Sequence, residues 1–159
     1  MNIFLTVGSM LPFDRLVSAM DDWAAENRDA QVFAQIGETN FRPQHIDYRK
    51  MVTPDEYRQQ FECADLVVSH VGMGTVITAF ETAKPLVLLA RRPELQEVTS
   101  NHQIATASWL NGRPGIRIVS DVSELAEAIA GSAGDQGVTR IDSGTRDLLI
   151  RAIREFIAN

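Results

Sequence analysis

Short apolar runs alternate with amphipathic segments over most of the chain. Most of these runs are continuous and rich in β-branched residues, which is typical of strands buried on both faces of a sheet. They predict strands over residues 2–7, 31–36, 45–52, 66–70, 86–89 and 115–119. Between the runs, apolar residues recur at helical spacing. This spacing predicts helices over residues 13–27, 54–63 and 122–130, one ending at Lys84, and one following a cap at Ser100 or Asn101.

Alternating strands and helices predict a mainly parallel sheet covered by helices on both faces. The predicted fold class is therefore α/β and Rossmann-like, with residues 1–159 forming a single domain. Residues from about 131 to 143 have the composition of a flexible linker. Residues from about 144 to 158 predict a C-terminal helix that packs on the sheet or docks on a partner. The first turn holds only Gly8 and lacks the fingerprint Gly-x-Gly-x-x-Gly, which argues against a dehydrogenase.

The helical spacing also predicts which side chains face the core. Asp21 and Asp22 fall on the outer side of the first long helix, as a solvated face. Cys63 lies in a helical pattern and is expected to be a small buried apolar residue. Ile104 is expected to point inward from its helix, and Pro12 to occupy an early helical position.

Composition narrows the class of protein. The 159 residues are 45% hydrophobic, enough for a core, and the net charge of −6 disfavours non-specific binding to nucleic acid. Cys63 is the only cysteine, so an intrachain disulfide is impossible, which fits a reducing compartment. Neither a leader-like N-terminus nor an apolar window of about 18 residues is present. These features predict a soluble cytoplasmic domain.

The stretch from Leu66 to Pro85 carries the strongest chemical signal. An apolar strand ends at His70, two glycines follow at positions 72 and 74, and helical spacing begins near Thr75. Glycines allow close backbone approach, and the N–H groups of a first helical turn attract anions, so the unit predicts a phosphate site. Packing alone also explains such a glycine turn. Thr78 and Glu81 lie about one and two turns deeper on the same helix face, where sugar hydroxyls could lie.

Two other segments follow strand ends and are candidates for the same crevice. Gly8 and Ser9 form a second glycine–hydroxyl turn, placed after the first strand. Arg91 and Arg92 open a long polar loop after the fifth strand. The two arginines are either part of a solvated loop or cations beside a diphosphate or another anion.

Four motifs in order resemble a known family: Thr-Val-Gly-Ser at 6–9, Ala-Asp-Leu-Val-Val-Ser-His-Val-Gly-Met-Gly-Thr at 64–75, Lys-Pro-Leu-Val-Leu-Leu at 84–89 and Asn-His-Gln at 101–103. Together they resemble the C-terminal, donor-binding half of MurG-like glycosyltransferases of the GT-B class. The chain looks most similar to the stand-alone PssE-type subunits of exopolysaccharide synthesis. It is also similar to the catalytic subunit of the eukaryotic enzyme that adds the second GlcNAc to a dolichol-linked acceptor.

The resemblance implies roles for individual residues, with His70 as the candidate catalytic residue through diphosphate stabilisation or proton transfer. Gly8 and Ser9 match a phosphate-contacting turn. Met51 and Val52 match the backbone that holds uracil. The remaining donor-binding candidates are Gly72, Met73, Gly74 and Thr75 at the diphosphate, and Asn101, His102 and Gln103 at the sugar hydroxyls. Thr78 stands where the family often has a ribose-binding glutamate, and Glu81 is the candidate substitute.

The resemblance further implies a function. The expected reaction is the inverting transfer of a hexose-type sugar from a UDP-sugar to a lipid-linked saccharide acceptor. A membrane-anchored, PssD-like partner subunit would hold that acceptor and recruit the chain to the inner face of the membrane. No cofactor or essential metal is expected, because the Asp-x-Asp signature is missing, and the isolated chain could self-associate. The alternatives are a non-catalytic UDP-sugar-binding regulatory module and an assembly protein whose glycine loop is only structural.

Overall fold

A computed structural model describes residues 1–132, 134 and 137–139 of the chain. Its centre is a six-stranded, fully parallel sheet with the strand order β3-β2-β1-β4-β5-β6. The strands are β1 (Asn2–Thr6), β2 (Gln31–Gln35), β3 (Asp47–Arg49), β4 (Leu66–His70), β5 (Leu86–Leu89) and β6 (Ile116–Val119). The helices are α1 (Asp14–Glu26), α2 (Pro54–Cys63), α3 (Met73–Thr82), α4 (His102–Leu110) and α5 (Leu125–Ser132). Single 3₁₀ turns occupy Pro93–Leu95 and Val122–Glu124.

Two hydrophobic cores lie on opposite faces of this sheet. Because side chains alternate along a strand, Leu5 of β1 joins the core under α1 and α5, whereas its neighbour Phe4 joins the core under α2, α3 and α4. β5 divides in the same way, with Val87 in the first core and Leu88 in the second. The predicted α/β, Rossmann-like fold with helices on both faces is confirmed.

The edge strand β3 is shorter than the alternation predicted. Only Asp47–Arg49 pairs, with Phe33 to Gln35 of β2, and all three of its residues are exposed. Of the residues in the predicted strand 45–52, only Ile46 is buried. A strand with one neighbour and no covered face has few contacts to extend it, so its pairing ends early.

Several predicted faces and boundaries were wrong. Cys63 is exposed at the last residue of α2, and Ile104 is 42% exposed, whereas Ala107 and Leu110, expected to point inward with it, are buried. Pro12 precedes the N-cap Phe13 and lies outside α1. α5 continues through Ser132, so the first two residues of the predicted linker are helical. The predicted C-terminal helix at 144–158 lies outside the described residues.

Asp21 corrects the prediction that Asp21 and Asp22 form a solvated face. Asp21 is only 3% exposed, and its carboxylate accepts hydrogen bonds from the backbone N–H groups of Gln44 and His45 at 2.7 to 3.0 Å. The side chain thereby fastens the connection between β2 and β3 to α1. Asp22, its exposed neighbour, does not share this environment.

The two aspartates make a matched pair for a stability test. Asp21→Ala should lower the free energy of unfolding by about 1–3 kcal/mol, because two backbone donors lose a charged acceptor. Asp22→Ala should change it by less than about 0.5 kcal/mol, as an exposed substitution does. Urea unfolding of both variants measures the difference, and equal effects would show that the Asp21 contacts add no stability.

Candidate functional site

A cleft of about 400 Å³ lies at the carboxyl edge of the sheet, next to the ends of β1 and β4. These two strands are neighbours, and the chain order reverses between them, since β2 and β3 lie on one side and β5 and β6 on the other. Open parallel sheets bind ligands at such a switch point. The residues that line the cleft are Val7, Gly8, Ser9, Met10, Gln35, Tyr57, His70, Gly72, Met73, Gly74, Thr75, Thr78 and Arg91.

A larger hollow of about 620 Å³ lies at the opposite edge, where β1, β2 and β3 begin. Its lining contains none of the residues that the sequence predicts for a site. Ligands of open parallel sheets bind beyond the carboxyl ends of the strands, so the smaller cleft is the candidate site.

The start of α3 gives the cleft an electropositive wall. The helix begins at Met73, so Gly74 and Thr75 both belong to its first turn. Its N-cap is Gly72, which has no side chain to accept a hydrogen bond from the first N–H groups. Those groups and the helix dipole favour an anion in the cleft. Open space surrounds the position of a Cβ at Gly74.

The His70 imidazole occupies a space that two glycines leave open. A Cβ on Gly8 would lie 2.8 Å from His70 Cε1, and a Cβ on Gly72 would lie 2.3 Å from His70 Nε2. Gly8 also has φ +77°, a conformation that L side chains rarely adopt. The structure shows that both glycines make room for the imidazole. Their close approach to a phosphate, which the sequence predicts, stays a prediction.

The hydroxyl of Ser69 defines the protonation of His70. Ser69 Oγ donates to the Thr6 carbonyl at 2.7 Å and more weakly to Thr75 Oγ1 at 3.4 Å, and it lies 3.2 Å from His70 Nδ1. Because the single hydroxyl proton is directed at the Thr6 carbonyl, the Ser69 oxygen can accept from Nδ1, and this contact favours the tautomer with the proton on Nδ1. The neutral imidazole therefore carries its lone pair on Nε2.

The same surroundings keep His70 uncharged. Burial and, to a smaller extent, the positive charge of Arg91 lower the pKa of His70 to about 4, against the opposing effect of a hydrogen bond with the Thr6 backbone. At neutral pH the imidazole can accept a proton, and it can also become a donor when an anion compensates its charge.

The sequence analysis did not identify two polar residues of the cleft, the buried Gln35 and the half-buried Tyr57. Gln35 ends β2, and its side chain donates to the Gly8 carbonyl at 3.3 Å while accepting from the Val52 N–H at 3.4 Å. Tyr57 lies in α2, and its hydroxyl lies 3.2 Å from Thr75 Oγ1. Burial raises the pKa of Tyr57, so its hydroxyl stays protonated. A glutamine at the end of an apolar strand was the available signal for Gln35.

The structure brings together some of the predicted site residues and separates others. Gly8, Ser9, His70, Gly72, Met73, Gly74, Thr75 and Thr78 line the cleft, whereas Met51, Val52, Glu81, Asn101, His102 and Gln103 do not. Val52 is connected to the cleft through Gln35, and Gln103 Oε1 accepts from the Arg91 N–H at 3.1 Å. Thr78 Oγ1 donates to the Gly74 carbonyl at 2.9 Å, which leaves its lone pairs to receive a ligand donor.

The two arginines of the loop after β5, predicted to be either solvated or beside an anion, lie in different environments. Arg91 is 3% exposed and lines the cleft, so the solvated-loop interpretation is wrong for it. Arg92 lies outside the cleft lining; its side chain donates to the Ser120 carbonyl, and its N–H donates to Glu97 Oε2.

The described residues lack two features, a cluster of metal-ligating side chains and a membrane-spanning helix. Within residues 1–132, 134 and 137–139, no three acidic, histidine or cysteine side chains cluster so that they could hold a metal ion. In the same residues, no helix combines the length and apolar character needed to cross a bilayer.

The chain belongs to the family of the glycosyltransferase family 28 C-terminal domain, whose model matches residues 2–130. The fold is that of the C-terminal domain of GT-B glycosyltransferases. The cleft described above is therefore part of a glycosyltransferase donor-binding domain. No curated protein matches the chain.

Solved structures share this fold at low sequence identity. A glycotransferase of kitacinnamycin matches with a TM-score of 0.64 and 20% identity over 99% of this chain, which spans 39% of the glycotransferase. The NMR structure of ALG13 matches with a TM-score of 0.60 and 16% identity over 88% of this chain and 89% of ALG13. A UDP-N-acetylglucosamine 2-epimerase from Listeria monocytogenes matches with a TM-score of 0.57 and 9% identity, over 99% of this chain and 46% of the epimerase. The fold alone thus does not define a reaction.

Proposed function

We propose that the chain is the donor-binding and catalytic subunit of an inverting glycosyltransferase that uses a UDP-sugar. One observation carries the proposal: a cleft at the switch point of the sheet combines the uncapped start of α3 with the neutral His70. This is a suitable environment for a diphosphate, whose charge needs N–H donors and a positive neighbour in a water-poor site. Membership of a glycosyltransferase family supports a sugar nucleotide as the source of that diphosphate.

The proposed reaction places developing negative charge on the diphosphate of the leaving UDP. The oxygen of an acceptor hydroxyl attacks the anomeric carbon, the bond from that carbon to the phosphate oxygen breaks, and UDP leaves with the electron pair. The N–H groups at the start of α3 stabilise the growing charge on the diphosphate. The hydroxyl proton passes to a base. Within the described lining of the cleft, the neutral His70 imidazole can take this proton, because a bound diphosphate favours its charged form and raises its pKa from about 4; once protonated it can donate to the diphosphate.

The parts of the donor are distributed along the carboxyl edge of the sheet. Uracil would contact the backbone at Met51 and Val52, which Gln35 ties to the cleft. The ribose hydroxyls would meet Thr78, with Glu81 one turn deeper. The sugar hydroxyls would contact the segment from Asn101 to Gln103 at the start of α4, where the Gln103 side chain accepts from the Arg91 N–H.

The acceptor site is proposed to come from a second subunit. The described fold corresponds to 39% of the kitacinnamycin glycotransferase but to 89% of ALG13. In our proposal a membrane-anchored partner holds a lipid-linked saccharide, so that the transfer serves exopolysaccharide synthesis at the cytoplasmic face of the membrane. Met10 is 84% exposed beside the cleft, and such an exposed apolar side chain suits contact with a partner.

Titration calorimetry tests the donor site. UDP, UDP-GlcNAc, UDP-glucose and UDP-glucuronate should bind to the purified protein, with a preference among the sugars, and ADP should bind more weakly. We expect EDTA to leave the affinity unchanged, because the N–H groups and the dipole of α3 supply the positive potential. UDP should also raise the melting temperature, as any ligand selective for the folded state does. Failure of UDP to bind, alone and with a co-expressed partner, would refute the proposal and favour a purely structural glycine loop.

Transfer activity distinguishes an enzyme from a binding module. With the partner and a lipid-linked acceptor supplied, the wild-type complex should release UDP, and His70→Ala should lower kcat by about 100-fold or more. Binding without turnover in the complete complex would identify a non-catalytic regulatory module.

A further inference from the structure

The guanidinium group of Arg91 links two loops beside the cleft. Its Nη2 atom donates to the Val7 carbonyl at 2.8 Å and to the Leu11 carbonyl at 2.6 Å, at the two ends of the turn that contains Gly8. The guanidinium carbon lies 5.0 Å from the centre of the Phe13 ring. The Arg91 N–H meanwhile donates to Gln103 Oε1 at the start of α4. One side chain therefore connects the end of β5 to the turn after β1.

This buried cation lacks the partner that its burial would normally require. Arg91 Nε is buried without a hydrogen-bond acceptor, and none of the described carboxylates forms an ion pair with the side chain. Glu97 is engaged by Arg15, which holds both carboxylate oxygens at 2.8 and 2.9 Å. Burial lowers the pKa of Arg91 to about 10, a shift that the charge of Glu97 opposes, so the group remains protonated at neutral pH. A buried charge without a counter-ion is costly and suits a site that receives an anion.

Arg91 also dominates the charge of the cleft. Among the described residues that line it, Arg91 alone carries a formal charge at neutral pH, since His70 and Tyr57 are neutral. The protein as a whole has a net charge of −6. The attraction of a diphosphate to this acidic protein therefore depends on one side chain together with the start of α3.

We propose that Arg91 is a positioning residue for the donor, which holds the Gly8 turn in place and supplies the buried positive charge that meets the diphosphate. The inference rests on the proposed function and adds to it a residue outside the glycine motifs. A purely structural Arg91 would stabilise the loops without contributing charge to donor binding. The two roles differ in their effect on His70, which senses the charge.

The surroundings of His70 make its pKa a specific measure of the Arg91 charge. The Thr6 backbone, Gly8, Ser69, Gly72 and Thr75 contact or adjoin the imidazole and carry no charge. Tyr57 reaches it only through Thr75 and stays protonated. Arg91 is thus the charged neighbour that acts on the His70 titration, and NMR of the imidazole reports the charge directly.

The experiment compares Arg91→Met and Arg91→Lys with Arg92→Met, a matched control at the adjacent arginine outside the cleft. UDP affinity is measured by calorimetry and the His70 pKa by NMR, in proteins checked for folding by circular dichroism. Arg91→Met should weaken UDP binding about tenfold or more and raise the His70 pKa from about 4 toward its ordinary value. Arg91→Lys should keep the low His70 pKa and give an intermediate affinity, because lysine retains the charge but not the planar fork. Arg92→Met should change neither the UDP affinity nor the His70 pKa.

The outcomes separate this inference from the proposed function. If wild-type protein binds UDP and folded Arg91→Met binds it equally well, the inference fails while the proposed function stands. If Arg91→Met does not fold, Arg91→Gln decides, because glutamine keeps hydrogen-bond donors for the two carbonyls but carries no charge: wild-type affinity for UDP would overturn the inference. Weaker binding by folded Arg91→Met with an unchanged His70 pKa would assign Arg91 a structural role and also overturn it. Absence of UDP binding by the wild-type protein and its partner complex would overturn both proposals.

Discussion

Replacing Gly72 by alanine is expected to abolish measurable UDP binding. The added Cβ would lie 2.3 Å from His70 Nε2, far inside van der Waals contact, so the imidazole or the start of α3 must move. Either movement disturbs the two groups that the diphosphate requires. The free energy of unfolding should also fall by about 1–3 kcal/mol, as it does for overpacked sites. Calorimetric titration with UDP and urea unfolding measure both effects.

Gly74→Ala is the matched control, two residues away in the same loop and helix. Open space surrounds the new Cβ, and alanine favours helix over glycine by up to about 1 kcal/mol, so stability should stay the same or rise. If Gly74→Ala also loses UDP binding while remaining stable, the donor approaches the helix start closely. Normal UDP binding by Gly72→Ala would show that the packing of His70 against Gly72 is unimportant for the site.

Lowering the pH from 7 to 5 is expected to destabilise the protein by about 2 kcal/mol through His70 alone. The pKa of His70 is about 4 in the folded protein against an ordinary value of 6.5, with burial as the main cause and the charge of Arg91 as the second. The unfolded chain therefore binds more protons than the folded chain below pH 6.5. Stability is lost as the pH falls from 6.5 toward 4 and is unaffected by this group above 6.5.

His70→Gln separates this effect from other titrations, because glutamine stays neutral throughout. Urea unfolding at pH 7, 6 and 5 should show a clear decline for the wild-type protein and a smaller one for the variant. Hydrogen bonds lower the pKa values of Glu56 and Asp121 below their ordinary values of 4.5 and 3.8. The stability that these two carboxylates contribute to the fold is therefore lost mainly below pH 5. Parallel pH profiles for wild type and His70→Gln would contradict the buried, neutral state of His70.

Local sequence predicted some features of the site but not the burial of Arg91. The segment from Leu66 to Pro85 predicted a strand, a glycine loop and a helix start, and the structure confirms all three because each depends on local backbone preferences. The alternatives for Arg91 could not be resolved in the same way. Its burial depends on carbonyls 80 and 84 positions earlier in the chain, which no local pattern records.

By itself, the sequence determined the order and type of the elements, the parallel sheet and the edge of the sheet at which the cleft lies. Periodicity and turn residues are sufficient for these features because they act over a few neighbouring residues. Only the tertiary structure decided that His70 lies beside Gly8 and Gly72, that Gln35 joins Gly8 to Val52, and that Asp21 is buried. Those contacts depend on which strands become neighbours and on how loops from distant parts of the chain pack. Such packing is a property of the whole fold rather than of any short segment.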